Sequence, residues 1–179
     1  IQIIRSQIDK LIIPLILSYT VLGNYALALQ IMAVLQLFPN IIFKFILPSD
    51  ATGQSNKKIK LLTISISVII SILGILLAPI IIPQFLPDYI ESINAIQIMS
   101  VVVVPTSVTL IVTSKFLGME NSTHVLISRI LGLVVICPTM IILGMMFEIT
   151  GVAIAYLLAN TSSSVYLIIS NFLVNSKTH

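Results

Sequence analysis

The chain has 179 residues, of which 58% are hydrophobic and 8% are charged, with nine basic and six acidic side chains. Average soluble domains carry about 25% charged residues, so this composition excludes an ordinary soluble globular domain and predicts an all-α membrane protein. We attribute the net charge of +3 to topology and to contact with anionic membrane lipid, and expect no nucleic-acid partner.

Six segments are long and apolar enough to cross a bilayer, which takes about 20 mainly apolar residues. The connectors between them are mostly short turns, the first of them at Leu22–Asn24. Short turns favour sequential antiparallel hairpins, so we expect a bundle of six transmembrane helices in a single domain, 1–179. The predicted spans are 3–21, 24–47, 61–82, 93–114, 125–147 and 151–174.

Charged residues interrupt the first span. Arg5 and Asp9 are four residues apart and can pair on one helix face, whereas the stem of Lys10 can reach towards the headgroups. These residues are interpreted either as a juxtamembrane cluster or as cations presented to an anionic headgroup inside a central cavity. Arg129, one to two turns into the fifth span, leaves the same two interpretations open.

The second span carries a stripe of polar residues, Gln30, Gln36, Asn40 and Lys44, within about a third of the helix circumference. Amides at membrane depth are unfavourable unless they are hydrogen-bonded or hydrated. The stripe therefore predicts either hydrogen bonds to another helix or the wall of a hydrated cavity. Asn160 in the sixth span allows the same choice.

Small residues recur at three- or four-residue spacing in two other spans, a pattern that lets membrane helices approach closely. We interpret both series as packing seams. They are Thr63, Ser67, Ser71, Gly74 and Ala78 in the third span, and Gly151, Ala155, Ala159 and Ser163 in the sixth.

The distribution of charge predicts an orientation. With the N-terminus in the cytoplasm, all nine cations fall on the cytoplasmic side, and Asp88, Glu91 and Glu148 fall on the other. This is the positive-inside pattern, so we expect a multi-pass protein of the cell membrane with both termini in the cytoplasm.

The sequence contains no nucleophile–base pair, carboxylate pair, phosphate-binding loop or dinucleotide fingerprint, so we expect no enzyme and no cofactor. One cysteine, Cys137, and two separated histidines, His124 and His179, give no metal-ligand pattern. The chain opens at Ile1 inside an apolar stretch without a signal-peptide pattern, and we expect it to be a piece of a longer protein.

The order of several short motifs resembles a known family. The run 8–12 (IDKLI), the run 22–28 (LGNYALA) and the helix ending near Pro48 are similar to the seventh and eighth helices of polysaccharide flippases. These are the O-antigen and lipid-linked oligosaccharide transporters of the MATE-like flippase superfamily. Further similar stretches are 86–89, 95–99, 116–121 and 149–155, so the resemblance covers essentially the whole chain.

The resemblance implies the second of two six-helix lobes around a central cavity, with the N-terminal lobe of the same protein as the missing partner. Family members are taken to flip a lipid-linked glycan by alternating access, and Arg5 and Lys10 would neutralise its pyrophosphate. The candidate cavity residues are Arg5, Asp9, Lys10, Gln30, Gln36, Asn40, Arg129 and Asn160.

Two alternatives stay open. A multidrug or cation antiporter of the same superfamily would need acidic residues within the membrane, and the spans offer only Asp9. A non-transporting membrane assembly subunit would have purely apolar spans, and the stripe on the second span argues against it.

Overall fold

The computed structural model of the protein describes residues 13–14, 17–53 and 57–177, and for 175–177 it describes the backbone alone. Every regular element in this part of the chain is helical, which confirms the predicted all-α class. The helices are α1 (Tyr19–Leu35), α2 (Leu37–Ala51), α3 (Lys57–Phe85), a 3-10 helix (Pro87–Ser92), α4 (Ile93–Val101), α5 (Val103–Gly118) and α6 (Ser122–Lys177). Arg5, Asp9 and Lys10 lie outside the described residues.

Three continuous helical stretches are long and apolar enough to cross a membrane: Lys57–Phe85, Pro87–Gly118 and Ser122–Val174. A fourth crossing is possible if α1 and α2, which meet at an angle of 44°, form one bent span. The described residues therefore form a helical protein suited to a membrane, with three or four spans by length and composition.

The longest helix, α6, folds back on itself at Glu148. This residue has φ 50° and ψ −127°, values that no α-helix contains. Beyond the break, the Ser163 Oγ donates to the Ser128 carbonyl and the Ser128 Oγ donates to the Ser163 carbonyl, each over 3.1 Å. Residues 35 positions apart can meet in this way only if the two arms of α6, 122–147 and 149–177, form an antiparallel hairpin.

The predicted turn at Leu22–Asn24 is wrong, because these residues lie inside α1. The helix begins after Ser18, whose Oγ accepts a hydrogen bond from the Val21 N–H over 3.3 Å. Gly23 is exposed within the helix, where a single glycine costs only about 1 kcal/mol. The cap at Ser18 therefore sets the helix start, and Gly23 does not interrupt it.

Prolines divide two of the predicted spans. The span 24–47 bends by 44° at Gln36, three residues before Pro39. In the span 93–114 the helical hydrogen bonds are interrupted at Val102, three residues before Pro105, but the backbone there stays helical, with φ −61° and ψ −23°. Proline cannot donate to the carbonyl four residues earlier and its ring crowds that turn, so the helix ladder is interrupted there.

Both predicted packing seams are confirmed, since every residue of the two series is buried. Gly74 shows why the third-span seam uses small side chains: a Cβ there would lie 2.5 Å from the Ser100 Oγ. Nearer the start of α3 on the same seam, the Ser67 and Ser107 hydroxyls are 2.7 Å apart and share a hydrogen bond. The core beside these seams is contributed mainly by α1, α4 and α6, around Tyr25, Met99 and Val152.

Candidate functional site

The outward face of α1 and α2 has a polar edge and an apolar edge. Gln30, Asn40 and Lys44 are exposed along the first. Their side chains make no hydrogen bond to any residue in the described part of the chain. The apolar edge is formed by Val34, Ile41 and Phe45, which are also exposed. We call the three polar residues, Gln30, Asn40 and Lys44, the polar edge.

Gln36 belongs to the same predicted stripe but has a different environment. It is half-buried at the break between α1 and α2, and its Nε2 donates to the Thr106 Oγ1 on α5 over 3.5 Å. For Gln36 the structure therefore provides the interhelical hydrogen bond that was one of the two predicted alternatives. The three residues of the polar edge make no interhelical hydrogen bond within the described part of the chain.

The exposed face of α3 is the natural comparison, because it consists almost entirely of large apolar side chains. Such a face is suited to hydrocarbon. An amide or ammonium on a lipid-facing surface is unfavourable by roughly 2–3 kcal/mol at the bilayer centre. The exposed apolar residues of α3 include Leu61, Leu62, Ile69, Leu73, Leu76 and Ile80.

The remaining candidates lie on the two arms of α6. Arg129 is half-buried on the first arm, and Asn160 is half-buried on the second, where its Nδ2 donates to the Tyr156 carbonyl over 2.8 Å. Because α6 packs mainly on α4 and α5, both residues occupy a different part of the bundle from Asn40 and Lys44. The candidates that the structure describes therefore lie on three different helices, α1, α2 and α6.

One end of the bundle contains an ionic cluster that sequence reasoning missed. The Asp50 side chain is 3% exposed, and its two oxygens accept from the Lys60 Nζ over 2.7 and 2.8 Å. The Ser114 Oγ donates to the same carboxylate over 2.7 Å, and the adjacent Lys115 donates to the Asn171 Oδ1 over 2.6 Å. The cluster ties together α2, α3, α5 and the second arm of α6.

Asp50 lies between the predicted second and third spans, 24–47 and 61–82, where we expect a polar connecting loop, but the structure places it in the last turn of α2. A carboxylate there is unfavourable next to the negative end of the helix dipole, and Lys60 compensates for it. One feature of the sequence could have indicated this cluster. Asp50 is the single acidic residue among Lys44, Lys57, Lys58 and Lys60, and such a position favours an ion pair.

The two ends of the bundle carry opposite charge. Lys57, Lys58, Lys60 and Lys115 lie at the end that holds Asp50, which we call the basic end. At the other end, the buried Asn24 donates through Nδ2 to the Glu91 carboxylate over 3.4 Å, and Asp88 lies nearby in the 3-10 helix. Which end faces the cytoplasm stays a prediction.

Chemically, the polar edge can hold water and can form hydrogen bonds to a polar solute, and Lys44 can attract an anion. Among the described residues, no three His, Cys, Asp or Glu side chains lie close enough together to hold a metal ion.

Comparisons of the chain with protein-family models, with curated proteins and with solved structures each find no match.

Proposed function

We propose that this chain is one six-helix lobe of a transporter that flips lipid-linked polysaccharide precursors across the cell membrane by alternating access. The observation that carries the proposal is the polar edge on α1 and α2. Its exposed amides and ammonium contrast with the exposed face of α3, which is almost entirely apolar and suited to lipid.

A hydrated cavity accounts for the polar edge better than lipid does. In hydrocarbon, Gln30 and Asn40 would each leave an amide without hydrogen-bond partners, whereas water or a glycan would supply them. The neighbouring apolar edge, with Val34 and Phe45, would then face lipid or the partner lobe. At the rim of a transport cavity, a helix faces water on one side and lipid or protein on the other. The polar and apolar edges of α1 and α2 match this requirement.

The number of crossings is consistent with such a lobe. As a hairpin, α6 would cross the membrane twice. The bent pair α1–α2, the helix α3 and the stretch 87–118 would each cross it once. The predicted span 3–21 supplies a sixth. A lobe with six crossings and a polar face leaves one cavity wall open, and we infer that the N-terminal lobe provides the opposite wall.

The substrate class follows from the cations together with the motif resemblance. Lys44 lies on the polar edge towards the basic end, and the sequence places Arg5 and Lys10 in the preceding span. Ammonium and guanidinium groups bind phosphate oxygens strongly in surroundings of low dielectric. A lipid pyrophosphate that carries a glycan would match these cations and the amides beside them.

A flipping assay on the complete protein tests this proposal. Proteoliposomes would receive a fluorescent lipid-linked oligosaccharide, and outward movement would be followed by quenching. We expect Asn40→Leu, Gln30→Leu and Lys10→Ala each to lower the flipping rate at least about ten-fold, which corresponds to 1.4 kcal/mol. The matched control is Gln84→Leu, which changes an exposed glutamine on α3 that lies outside the polar edge.

Wild-type rates in all three variants would remove the cavity assignment. Transport by the purified chain 1–179 without a second lobe would contradict the two-lobe architecture. Flipping of lipids that lack the pyrophosphate–glycan headgroup at the same rate would contradict the substrate class.

A further inference from the structure

We infer that α2 and α5 form a groove that binds the headgroup of the lipid-linked substrate, with its pyrophosphate at Lys44 and its first sugars along a series of threonines on α5. The identity of the ligand rests on the proposed function. The groove itself follows from the described residues alone.

Three threonines share one face of α5. Thr109 and Thr113 follow Thr106 by three and seven residues, which places all three within an arc of about 60° at 100° per residue. Thr106 and Thr109 are half-buried, and Thr113 is 3% exposed. We call these three residues the threonine series.

The hydroxyl groups of the threonine series are not satisfied by their own helix. A threonine inside a helix can donate to the carbonyl four residues earlier. Three threonines in other helices do so over 2.6 to 2.8 Å: Thr63, Thr139 and Thr161. The Thr106 Oγ1 instead accepts from the Gln36 Nε2, and Thr109 makes no hydrogen bond within the described part of the chain.

Thr113 is the sharpest case in the series. Its Oγ1 is buried and has no hydrogen-bond partner among the described residues. A buried hydroxyl without a partner is unfavourable, and buried polar groups are nearly always hydrogen-bonded to protein, water or a ligand. Water or a ligand atom at this face of α5 would satisfy it.

The helices α2 and α5 run side by side in the same direction. Gln36 contacts Thr106 where both helices begin, and Asp50 accepts from Ser114 where both approach their ends. Residues at equal distances from the Gln36–Thr106 contact therefore lie at about equal heights along the pair.

The polar edge and the threonine series flank one side of this pair. Asn40 and Thr109 each lie about one turn beyond the Gln36–Thr106 contact, and Lys44 and Thr113 lie about two turns beyond it. Each set shares a helix face with its own member of that contact, so both sets lie on the same side of the seam.

The exposure of these residues describes a groove. Asn40 and Lys44 are exposed and form the outer lip on α2, the half-buried Thr109 forms the wall on α5, and the buried Thr113 forms the floor. We call this space the α2–α5 groove.

The polar groups along the groove match a phosphorylated sugar in a definite order. Lys44, towards the basic end, supplies a cation for phosphate oxygens. One turn nearer to Gln36, the side chains of Asn40 and Thr109 supply donors and acceptors suited to sugar hydroxyls. The pyrophosphate would then lie towards the basic end, and the glycan would extend along the groove towards Gln36.

Thiol labelling of the complete protein in lipid nanodiscs tests whether the groove holds water. In a background free of native cysteines, Cys137→Ser included, single cysteines replace Asn40, Thr109 or Ser65. Ser65 is the control, because it is exposed on the apolar face of α3 at a similar distance from the basic end. We expect a charged methanethiosulfonate to label Asn40→Cys and Thr109→Cys at least about ten-fold faster than Ser65→Cys, since the reactive thiolate forms in water.

Binding measurements in the same nanodiscs test the ligand and its orientation. The two probes are a lipid-linked oligosaccharide and the same polyprenyl pyrophosphate without its glycan. We expect Lys44→Met to raise the Kd of both probes about ten-fold, because both carry the pyrophosphate. Thr109→Val should raise only the Kd of the glycan-bearing probe, by about five-fold, as the loss of one hydrogen bond predicts.

Matched variants separate the hydroxyl from the shape of the side chain. Thr109→Ser keeps the hydroxyl and should bind both probes like wild type. Thr161→Val changes an exposed threonine that is bonded within its own helix and should also have no effect. Asn40→Leu, at the same height on α2, should reproduce the effect of Thr109→Val and replaces it if the valine variant does not insert.

Slow labelling of Thr109→Cys, equal to that of Ser65→Cys, together with fast labelling of Asn40→Cys would overturn the groove and leave the transport function intact. Unchanged affinity in Thr109→Val and Asn40→Leu would overturn the sugar contacts. A Lys44→Met variant that binds the glycan-free probe like wild type would overturn the position of the pyrophosphate. Wild-type protein that binds neither probe would contradict the proposed function and the ligand with it, whereas the labelling rates would still decide the groove.

Discussion

Two glycines of this chain, Gly23 and Gly118, have opposite effects on stability because their surroundings differ. Gly23 lies in α1, and a Cβ added there would have nothing within 4 Å, whereas a Cβ on Gly118 would lie 2.8 Å from the Asp50 backbone. The first glycine only adds conformational freedom to the unfolded chain, and the second permits two helices to touch.

Replacing these two glycines by alanine should therefore shift stability in opposite directions. We expect Gly23→Ala to stabilise the protein by about 0.5–1 kcal/mol through helix propensity. Gly118→Ala should destabilise it by about 1–3 kcal/mol, because α5 must move away from α2. Unfolding midpoints in mixed micelles would measure both, and a stabilising Gly118→Ala would contradict the close approach.

The ion pair at the basic end gives a second prediction for single residues. Asp50→Asn would leave the Lys60 ammonium without its charge partner at a largely buried site. We expect a loss of about 2–3 kcal/mol in unfolding free energy. The exposed Lys58→Gln is the control and should change the midpoint by less than about 0.5 kcal/mol. Adding Lys60→Met to Asp50→Asn should restore part of the loss, because the ammonium that lost its carboxylate partner is then also removed.

Among the helices, α6 depends on an unusual turn. Glu148 has a positive φ, in a region of backbone space that glycine occupies readily and other residues only with strain. Directly after it, a Cβ on Gly151 would overlap the Leu143 carbonyl oxygen, so the hairpin closes tightly.

Glu148→Gly should therefore stabilise the protein by about 1 kcal/mol, since it relieves backbone strain at the turn. Glu148→Val should destabilise it by a similar amount, because a β-branched residue tolerates positive φ poorly. Thermal unfolding of the two variants against wild type would measure the difference. Equal stability of the two would contradict the turn geometry.

The helical elements show which physical signals a sequence carries and which it does not. Seams such as Ser67–Ser71–Gly74 and Ala155–Ala159 were predictable, because small residues at three- or four-residue spacing fall on one face of a helix. The breaks at Gln36 and Val102 were not predicted, although prolines follow both, because Pro79 and Pro138 lie in helices that continue. In α3, Gln97 from another helix donates to the Ile75 carbonyl that Pro79 frees, and the local sequence does not show such a tertiary contact.

The same limit applies to the candidate site. The polar stripe on the second span was visible from its spacing, but sequence alone could not separate Gln36, which reaches Thr106, from the exposed Gln30 and Asn40. Asp50 was missed because its partner Lys60 lies across a turn on another helix. Pairings between elements follow from packing, whereas the face a residue occupies follows from periodicity.

At the scale of the whole molecule, the opposite charges of the two ends make topology testable. In a Cys137→Ser background, single cysteines at Lys58, Asp88, Glu120 and Glu148 would be labelled with an impermeant maleimide. Crossings by α3, by the stretch 87–118 and by the first arm of α6 predict that positions 58 and 120 share one side and that positions 88 and 148 share the other. The positive-inside rule predicts that the first pair is cytoplasmic.

Labelling of all four positions from one side would contradict the crossings proposed for α3, the stretch 87–118 and the first arm of α6. Labelling of positions 58 and 120 only from outside the cell would leave the helix arrangement intact and reverse the orientation.

The reciprocal bonds between Ser128 and Ser163 also bear on biogenesis. The Ser128 Oγ donates to the Ser163 carbonyl on the opposite arm, whereas the Ser163 Oγ also donates to the Ala159 carbonyl on its own arm over 2.9 Å. The first arm therefore carries the hydroxyl that lacks this acceptor until the second arm has been synthesised. The two arms should therefore leave the insertion machinery as a pair. A ribosome stalled soon after codon 150 would hold the first arm beside the translocon, with Ser128 still awaiting its counterpart.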